Sequence, residues 1–283
     1  MNQKREKWFN RISFAEIMRI IFLIIVVLVS LVPFIWAFLS TFKTNKEILS
    51  SAFSMPEVWS IKNYIDVLQE TPMLLFYMNS LIVSLASTLV CLLIFGMAAY
   101  ALARFKFKGR GIIFGILTLS MLVPVTAIIF PVYRLMNNLG LYDTRLGLIL
   151  VYTAISMPVS LYILRSFFMT IPKELEEAAY IDGASFLRTY FTVIVPIAKP
   201  GFAAAAVLAF LTAWNDFFYA YILTSGTGSR TVPVAIKHFQ SEYATNYGRM
   251  FATIILIVIP TVLIYLALHK KIEEGLVAGS VKG

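Results

Sequence analysis

Along the chain, long apolar stretches alternate with polar segments. Six of these stretches are at or near the roughly 20 residues that a helix needs to cross the hydrocarbon core of a bilayer. The predicted spans are Ile20–Leu39, Met73–Ala103, Gly111–Tyr133, Leu146–Phe168, Phe202–Leu223 and Met250–Leu268. The second stretch is longer than a bilayer requires, so we expect this helix to tilt or to begin outside the membrane. The pattern predicts an all-α membrane protein with six transmembrane helices.

The composition also indicates a membrane protein. Hydrophobic residues make up 59% of the 283 residues and charged residues 14%, whereas soluble domains have roughly 45–50% apolar and about 25% charged residues. A basic start followed by an apolar stretch also occurs in secretory signal peptides. Here the stretch is long enough to span and no small-x-small cleavage site follows it. Residues 20–39 are therefore predicted to remain as the first transmembrane helix.

The 24 Lys and Arg residues predict the orientation of the spans. Sixteen lie in segments assigned to one side of the membrane and eight in segments assigned to the other. Because basic residues accumulate in short cytoplasmic loops, both termini and the segment Lys173–Gly201 are predicted to be cytoplasmic. The predicted regions are a cytoplasmic N-terminus (1–19), the first helix (20–39), an extracellular loop (40–72), a five-helix core (73–268) that contains the 173–201 loop, and a cytoplasmic tail (269–283).

Few residues are available for metal binding or catalysis. Cys91 lies inside an apolar stretch, where a packed thiol is expected, and His238 and His269 have no Cys or His partner at metal-ligand spacing. No G-x-x-x-x-G-K-[ST] phosphate-binding loop is present. The net charge of +9 is explained by the loops that orient the spans, so nucleic acid is not an expected partner. The sequence predicts no metal site, and any ATP-derived energy must come from a partner chain.

Prolines predict a change of direction in the third span. Pro124 and Pro131 both lie in it, and proline in a membrane helix frees backbone groups that neighbouring elements must satisfy. We expect a broken or bent helix there. An ordinary structural kink and a gating hinge are both compatible with the pattern.

One acidic residue, Asp216, lies within a predicted span, and the other 14 lie outside the spans or at their edges. An ionisable side chain in a membrane helix usually faces the bundle interior or an aqueous cavity. Asn215, Trp214 and Tyr219 add hydrogen-bonding groups and flat aromatic faces, a mixture that suits a sugar. These four residues form the candidate substrate pathway. The alternative is that Asp216 and Asn215 hydrogen-bond other helices or a partner subunit and do not contact substrate.

The segment Lys173–Gly201 is polar but has the pattern of folded structure. Pro172 suits the first position of a helix, and the glutamates that follow it lie where the helix dipole favours negative charge. Gly183 suits the residue beyond the helix end. Ser185 can cap a second short helix, which Pro196 is predicted to end. The segment therefore predicts two helices joined by a tight turn.

This segment resembles the EAA motif of binding-protein-dependent ABC importer permeases. The resemblance rests on Glu177-Ala178-Ala179, on Gly183 after three further residues, and on Val193-x-Val195-Pro196, where the family has isoleucine and leucine in place of the valines. Other segments resemble the carbohydrate, maltose-type branch, and the last of them resembles the ending of one of its two permease types. They are Trp214-Asn215-Asp216-Phe217, Asn138-Leu139-Gly140-Leu141, Thr231–Ile236 and Gly275–Gly283.

The resemblance implies a type I ABC importer permease fold and one subunit of a larger machine. The implied partners are a second, related permease, two ATP-binding subunits that hold ATP and Mg²⁺, an extracellular or periplasmic solute-binding protein, and a sugar. The residues implied to couple this chain to an ATPase subunit are Glu177, Ala178, Ala179, Asp182, Gly183 and Pro196. Those implied to bring the tail to the ATPase are Gly275, Gly279 and Lys282. The chain itself would be neither an enzyme nor a cofactor carrier.

Three other functions fit the sequence less well. A secondary transporter usually has two repeated halves with charged groups near the midplane, and six spans with one buried acid and no visible repeat argue against it. A membrane enzyme needs paired acids, a Ser–His pair or metal ligands within the spans. In this chain the predicted spans offer the isolated Asp216. An ABC permease for a polyamine or for phosphate calls for more buried acids or for buried Arg or Lys, unless the partner permease holds them.

Overall fold

The structure is a computed structural model that describes the backbone of residues 14–240 and 245–280, and the side chains of residues 16–240 and 245–266. Within these ranges every regular element is helical, apart from an isolated antiparallel bridge between Gln240 and Thr245. The α-helices are α1 (Phe14–Ser40), α2 (Asn45–Ser50), α3 (Lys62–Glu70), α4 (Met73–Arg104), α5 (Arg110–Leu119), α6 (Ile129–Asn138), α7 (Arg145–Thr170), α8 (Glu174–Ile181), α9 (Phe186–Thr189), α10 (Val195–Ile197), α11 (Lys199–Asn215), α12 (Phe218–Leu223) and α13 (Tyr247–Ser280). Short 3₁₀ segments lie at Ser120–Leu122, Val125–Ile128 and Val232–Phe239, and a π-helical turn at Tyr190–Ile194. The all-α prediction is confirmed for this part of the chain.

Four helices of the described chain are long and apolar enough to cross a membrane. They are Glu16–Ser40, Met73–Arg104, Arg145–Thr170 and Tyr247–Leu266. Two bent helix pairs are further candidates. They are Arg110–Leu122 with Val125–Asn138, which meet at 95°, and Phe186–Ile197 with Lys199–Asn215, which meet at 81°. By length and composition, the described residues therefore provide four spans, or up to six if each bent pair crosses once.

Two of the predicted spans are interrupted. The third breaks at Val123 and Pro124, as its prolines predict, whereas Pro131 lies inside α6 without breaking it. The stretch Phe202–Leu223, which the hydrophobic pattern treats as one span, is not one helix. It is divided because Asp216 is extended, with φ −71° and ψ 128°, between the end of α11 and the start of α12.

The chain forms two compact units, of which the first contains the described residues among 1–70 and 239–255. Its polar segment, predicted only as a loop at 40–72, contains α2 and α3. The Trp36 indole N–H donates to the Ala52 carbonyl at 2.7 Å, and its ring meets Phe251 edge-on. The Arg249 guanidinium bridges Asp66 and Glu70 at 2.8 and 2.7 Å. These contacts fold the segment onto the ends of α1 and α13.

The second unit contains the described residues among 71–238 and 256–283. Here α4 packs along α7 and α11. Small polar residues line the seam between α4 and α7, where the Thr153 hydroxyl donates to the Ser87 carbonyl and the Cys91 thiol to the Ser160 hydroxyl. Small and polar contacts of this kind hold membrane helices together because lipid is as apolar as a helix surface. Cys91 is fully buried, as predicted.

Candidate functional site

The 173–201 loop folds as two helical segments joined at a glycine. Gly183 has a positive φ of 80°, so the prediction that it ends the first helix is confirmed. Ser185 caps the second segment by accepting from the Arg188 N–H at 3.4 Å, also as predicted. Two details are wrong. α8 begins at Glu174, two residues after Pro172, and the second segment runs through Pro196 to Ile197 before it turns into α11.

The outward side of α8 is a small, mixed surface, which we call the outer face of α8. Glu177, Ala178, Ile181 and Asp182 are exposed, and Ile181 is 86% exposed. Ala179 is half-buried. Small alanines beside an acid and an isolated apolar side chain leave room for another backbone to approach closely. The implied coupling residues Glu177, Ala178 and Asp182 therefore share one accessible surface.

Glu176 points the other way and is buried. Its Oε1 lies 2.5 Å from Nε of Arg104, the last residue of α4, and the two side chains are 10% and 7% exposed. The Arg104 guanidinium also donates to the Ile171 carbonyl, just beyond α7, at 2.7 Å. Sequence reasoning missed this pair because four acids crowd into the loop and nothing in their order marks the one that faces inward.

Behind the loop lies an aromatic cluster that joins it to the long helices of the second unit, to which the loop itself belongs. Tyr100 of α4 stacks on Phe186, and it also contacts Tyr190 of the π-helical turn and Phe168 of α7. Gly96 lets the Tyr190 hydroxyl approach α4, because a Cβ there would lie 2.9 Å from that oxygen. The loop is therefore packed into the helical core and is not a free linker.

Asp216 occupies the break between α11 and α12. Its Oδ1 accepts from the Tyr152 hydroxyl of α7 at 2.8 Å and from the N–H groups of Tyr219 and Ala220 at 2.9 and 3.2 Å. The carboxylate therefore caps the start of α12 and ties it to α7. These bonds agree with the alternative interpretation of Asp216, in which its side chain hydrogen-bonds other helices.

The other candidate pathway residues lie in different environments. Trp214 is 4% exposed and stacks on Phe210, and Tyr219 is 1% exposed and donates from its hydroxyl to the Val125 carbonyl at the break in the third span. Asn215 is exposed, and its side-chain oxygen accepts from the Thr261 hydroxyl at 3.3 Å. Of the four, only Asn215 and part of Asp216 are open to a solute in the described structure.

An apolar cavity of about 330 Å³ opens beside the break in the third span. Its walls come from the two halves of that span and from α7, with Pro158 and Tyr219 among its lining residues. Few polar groups face into it, so it does not resemble a sugar site. Among residues 16–240 and 245–266, no three His, Cys, Asp or Glu side chains are placed to hold a metal ion.

A further polar junction, which we call the Asp143 clasp, joins the loop before α7 to the segment after α12. Asp143 has a φ of 56° and accepts from the N–H groups of Ser225 and Gly226, at 2.9 and 3.0 Å, and from the Ser229 hydroxyl. Its own N–H donates to the Leu223 carbonyl at 2.9 Å. Burial by itself raises the pKa of this carboxyl, but the donated hydrogen bonds outweigh burial and lower the pKa to about 2.

The tail residues are only partly described. Gly275 and Gly279 lie in the C-terminal part of α13, for which the structure describes the backbone alone. Lys282 lies outside the described residues. Their implied contact with an ATPase stays a prediction.

Comparisons with known proteins identify relatives along nearly the whole chain. Residues 92–277 match the family described as the inner membrane component of binding-protein-dependent transport systems. The chain is 35% identical to the diacetylchitobiose uptake system permease of Streptomyces coelicolor over 89% of this chain and 84% of that protein. It is 37% identical to the trehalose/maltose transport system permease of Thermococcus litoralis, over 95% and 97% of the two chains. The fold is similar to a chain of a bacterial ABC transporter involved in alginate import, with a TM-score of 0.77, 24% identity, and coverage of 92% of this chain and 98% of that one.

Proposed function

Because this chain belongs to the family of inner-membrane components of binding-protein-dependent transport systems, we propose that it is a permease subunit of an ATP-driven sugar importer. The names of its relatives support sugar as the substrate class. The two relatives compared above are named for the uptake of diacetylchitobiose and for the transport of trehalose and maltose. The observation that carries the coupling role is the outer face of α8, an accessible surface on a loop that is itself packed into the helical core.

In this proposal the chain forms half of the translocation pathway. A second, related permease supplies the other half, two ATP-hydrolysing subunits bind on the cytoplasmic side, and a solute-binding protein delivers the sugar from the opposite side. Six spans with both termini in the cytoplasm fit the 16-to-8 distribution of basic residues. Glu177, Ala178 and Asp182 contact the ATPase subunit, and Gly183 and Pro196 shape the loop that presents them.

Sugar is favoured over the other solutes. A polyamine permease would be expected to hold buried acids along its path and a phosphate permease buried basic groups. Asp216 is the acid of the predicted span Phe202–Leu223, and its carboxylate is already bonded to Tyr152 and to α12. No feature of the site favours an ionic substrate.

Substitutions that alter the outer face of α8 should weaken binding of the ATPase subunits. The double variant Glu177→Ala with Ala178→Arg deletes the acid and puts a long charged side chain where another backbone would approach. We expect the ATP-hydrolysing subunits to co-purify with this variant at less than a tenth of the wild-type amount in detergent, with the second permease still bound. Quantitative blotting of the purified complex measures both.

The matched control is Glu57→Ala, which removes an exposed glutamate from the segment predicted to lie on the other side of the membrane. It should retain the ATPase at the wild-type level. Retention of the ATPase by the double variant at the wild-type level would overturn the docking assignment. Import of labelled di- and oligosaccharides by the reconstituted transporter then identifies the sugar.

A further inference from the structure

The end of α4 and the start of α8 meet although they lie 70 positions apart in the sequence, at Arg104 and Glu174. They meet through Arg104 and Glu176, whose charged atoms are 2.5 Å apart and whose side chains are almost completely buried. Taking both charges out of water is unfavourable, so a buried pair is weak evidence of stabilisation. Removing one partner, in contrast, leaves an uncompensated buried charge. The Arg104 guanidinium and the Glu176 carboxylate must therefore stay in contact.

Arg104 connects three elements at one point. Besides Glu176 of α8, it holds the Ile171 carbonyl at the end of α7. In the opposite direction, Arg165 of α7 donates to the Leu102 carbonyl of α4 at 3.3 Å. The ends of α4 and α7 are thus joined in both directions, and α8 is attached to that junction by the charge pair.

One side of α8 is accessible to a partner protein, and the other side packs against the helical core. Glu177 and Ala178 face outward, whereas Glu176, the residue before Glu177, faces Arg104. Tyr100 of α4 contacts Phe186 and Tyr190 in the second helical segment of the loop. It also hydrogen-bonds Glu176 and Tyr180 of α8. The charge pair is the ionic connection that the described structure provides between α8 itself and α4.

We infer that the Arg104–Glu176 pair transmits displacement of α8 to α4 and α7, so that movement of a docked ATPase changes the packing of the helical core that α4, α7 and α11 form. This inference rests on the proposed function. Arg104 and Glu176 are positioning residues, because they act through α8 and α4 and touch neither nucleotide nor sugar. If the pair is broken, α8 can stay docked while α4 no longer follows it.

The test measures how many ATP molecules are hydrolysed for each sugar imported. The complete transporter, with both permeases, the ATPase subunits and the binding protein, is reconstituted in proteoliposomes with Glu176→Gln or Arg104→Gln in this chain. We expect the ATPase to be retained at the wild-type level, sugar import to fall at least tenfold, and hydrolysis to fall much less. The ATP consumed per sugar should therefore rise several-fold.

Two further variants separate transmission from mere folding. The exchange Arg104→Glu with Glu176→Arg restores an opposite-charge pair and should recover at least a third of wild-type import, with a ratio of ATP to sugar near the wild-type value. Glu174→Gln removes the same charge from an exposed position of α8 and should leave the ratio unchanged.

A wild-type ratio in both single variants would overturn the inference, as would proportional loss of import, hydrolysis and ATPase retention without recovery in the exchanged pair. Failure of the proposed function is distinguishable from either result. It would appear as undiminished ATPase retention in the Glu177→Ala, Ala178→Arg variant, whatever the Arg104 and Glu176 variants do.

Discussion

At the scale of single residues, three carboxylates of the described chain each have fixed polar or charged partners. Glu176 holds a guanidinium, Asp216 holds a tyrosine hydroxyl and two backbone N–H groups, and Asp143 holds the loop after α12. Each of them joins segments that are far apart in the sequence. A change of charge at one of these positions should therefore loosen one particular junction before it affects the rest of the fold.

We predict that acid opens the Asp143 clasp. The pKa of Asp143 is lowered from 3.8 to about 2, so the folded state prefers the charged form. Its stabilising contribution is fully present above about pH 4 and is lost as the pH falls through about 2. Amide hydrogen exchange at Ser225 and Gly226 in nanodiscs, corrected for the intrinsic rate, should show protection that decreases across this window.

Asp143→Asn keeps the size of the side chain and removes its charge. Protection in this variant should be lower than in the wild type at neutral pH and should not change between about pH 4 and 2. Asp182→Asn, at an exposed carboxyl of another loop, should behave as the wild type. Protection at Ser225 and Gly226 that stays constant in the wild type down to pH 2 would contradict the role of the clasp.

Sequence reasoning found the outward residues of α8 but not the inward one. The resemblance to the EAA motif points to Glu177 and Gly183, and the structure places the former on the surface and the latter at the turn. Glu176 was indistinguishable from its neighbours, because any acid in the first turn of a helix satisfies the same dipole. Only the position of Arg104 at the end of α4 decides its role, and that position depends on tertiary packing.

At the scale of elements, the helices break at some of the residues that favour a break and continue through others. Pro124 lies in the break at the 95° bend, as predicted. Pro131 lies in the first turn of α6, where a missing N–H costs little because the first N–H groups of an α-helix have no partner within the helix. Pro196 lies in α10, directly after the π-helical turn Tyr190–Ile194. The break at Asp216 has no proline or glycine and depends on Tyr152, which is 64 residues away. No local pattern could have located it.

For this break we predict that the amide substitution is tolerated and the truncation is not. Asp216→Asn keeps an oxygen that can accept from Tyr152 and from α12, so abundance and transport should both stay within about twofold of the wild type. Asp216→Ala leaves a buried tyrosine hydroxyl and two N–H groups without their acceptor, each at a cost of about 1–3 kcal/mol. Abundance and transport should then fall together.

Membrane abundance by blotting and sugar uptake per unit of protein measure these effects. Asn215→Ala, at the exposed neighbour, tests whether the open side of the break contacts solute, because it leaves the bonds of Asp216 intact. Normal abundance of Asp216→Asn with a large loss of uptake would show that the charge serves the pathway and would make the purely structural interpretation wrong.

At the scale of the whole molecule, the hydrophobic pattern predicts the class of fold but not where its membrane helices are interrupted. Four of the predicted stretches correspond to long helices and the third to a bent pair, whereas the stretch Phe202–Leu223 only overlaps the second bent pair, in Lys199–Asn215. Length and composition locate such stretches because a bilayer demands about 20 apolar residues whatever the neighbouring helices do. They cannot reveal where a stretch bends, because the groups that satisfy a broken backbone, such as Tyr219 at Val125, come from other parts of the chain.

We predict from the distribution of basic residues that position 173 faces the cytoplasm and position 57 the opposite side. Cys91 is buried, so the wild-type chain should react little with maleimides. In spheroplasts a membrane-impermeant maleimide should label Glu57→Cys and not Lys173→Cys, and permeabilisation should expose both. Labelling of Lys173→Cys alone before permeabilisation would reverse the predicted orientation.

The buried charge pair at the end of α4 also limits how the chain can be recombined with its relatives. A loop grafted from another permease as residues 173–201 would bring its own inward-facing side chain but would leave Arg104 behind. If the donor loop lacks an acid at position 176, the graft buries an arginine with no counterion. The unit of exchange between such proteins is therefore discontinuous in sequence, and it comprises the loop together with the last turn of a helix encoded some 70 residues earlier.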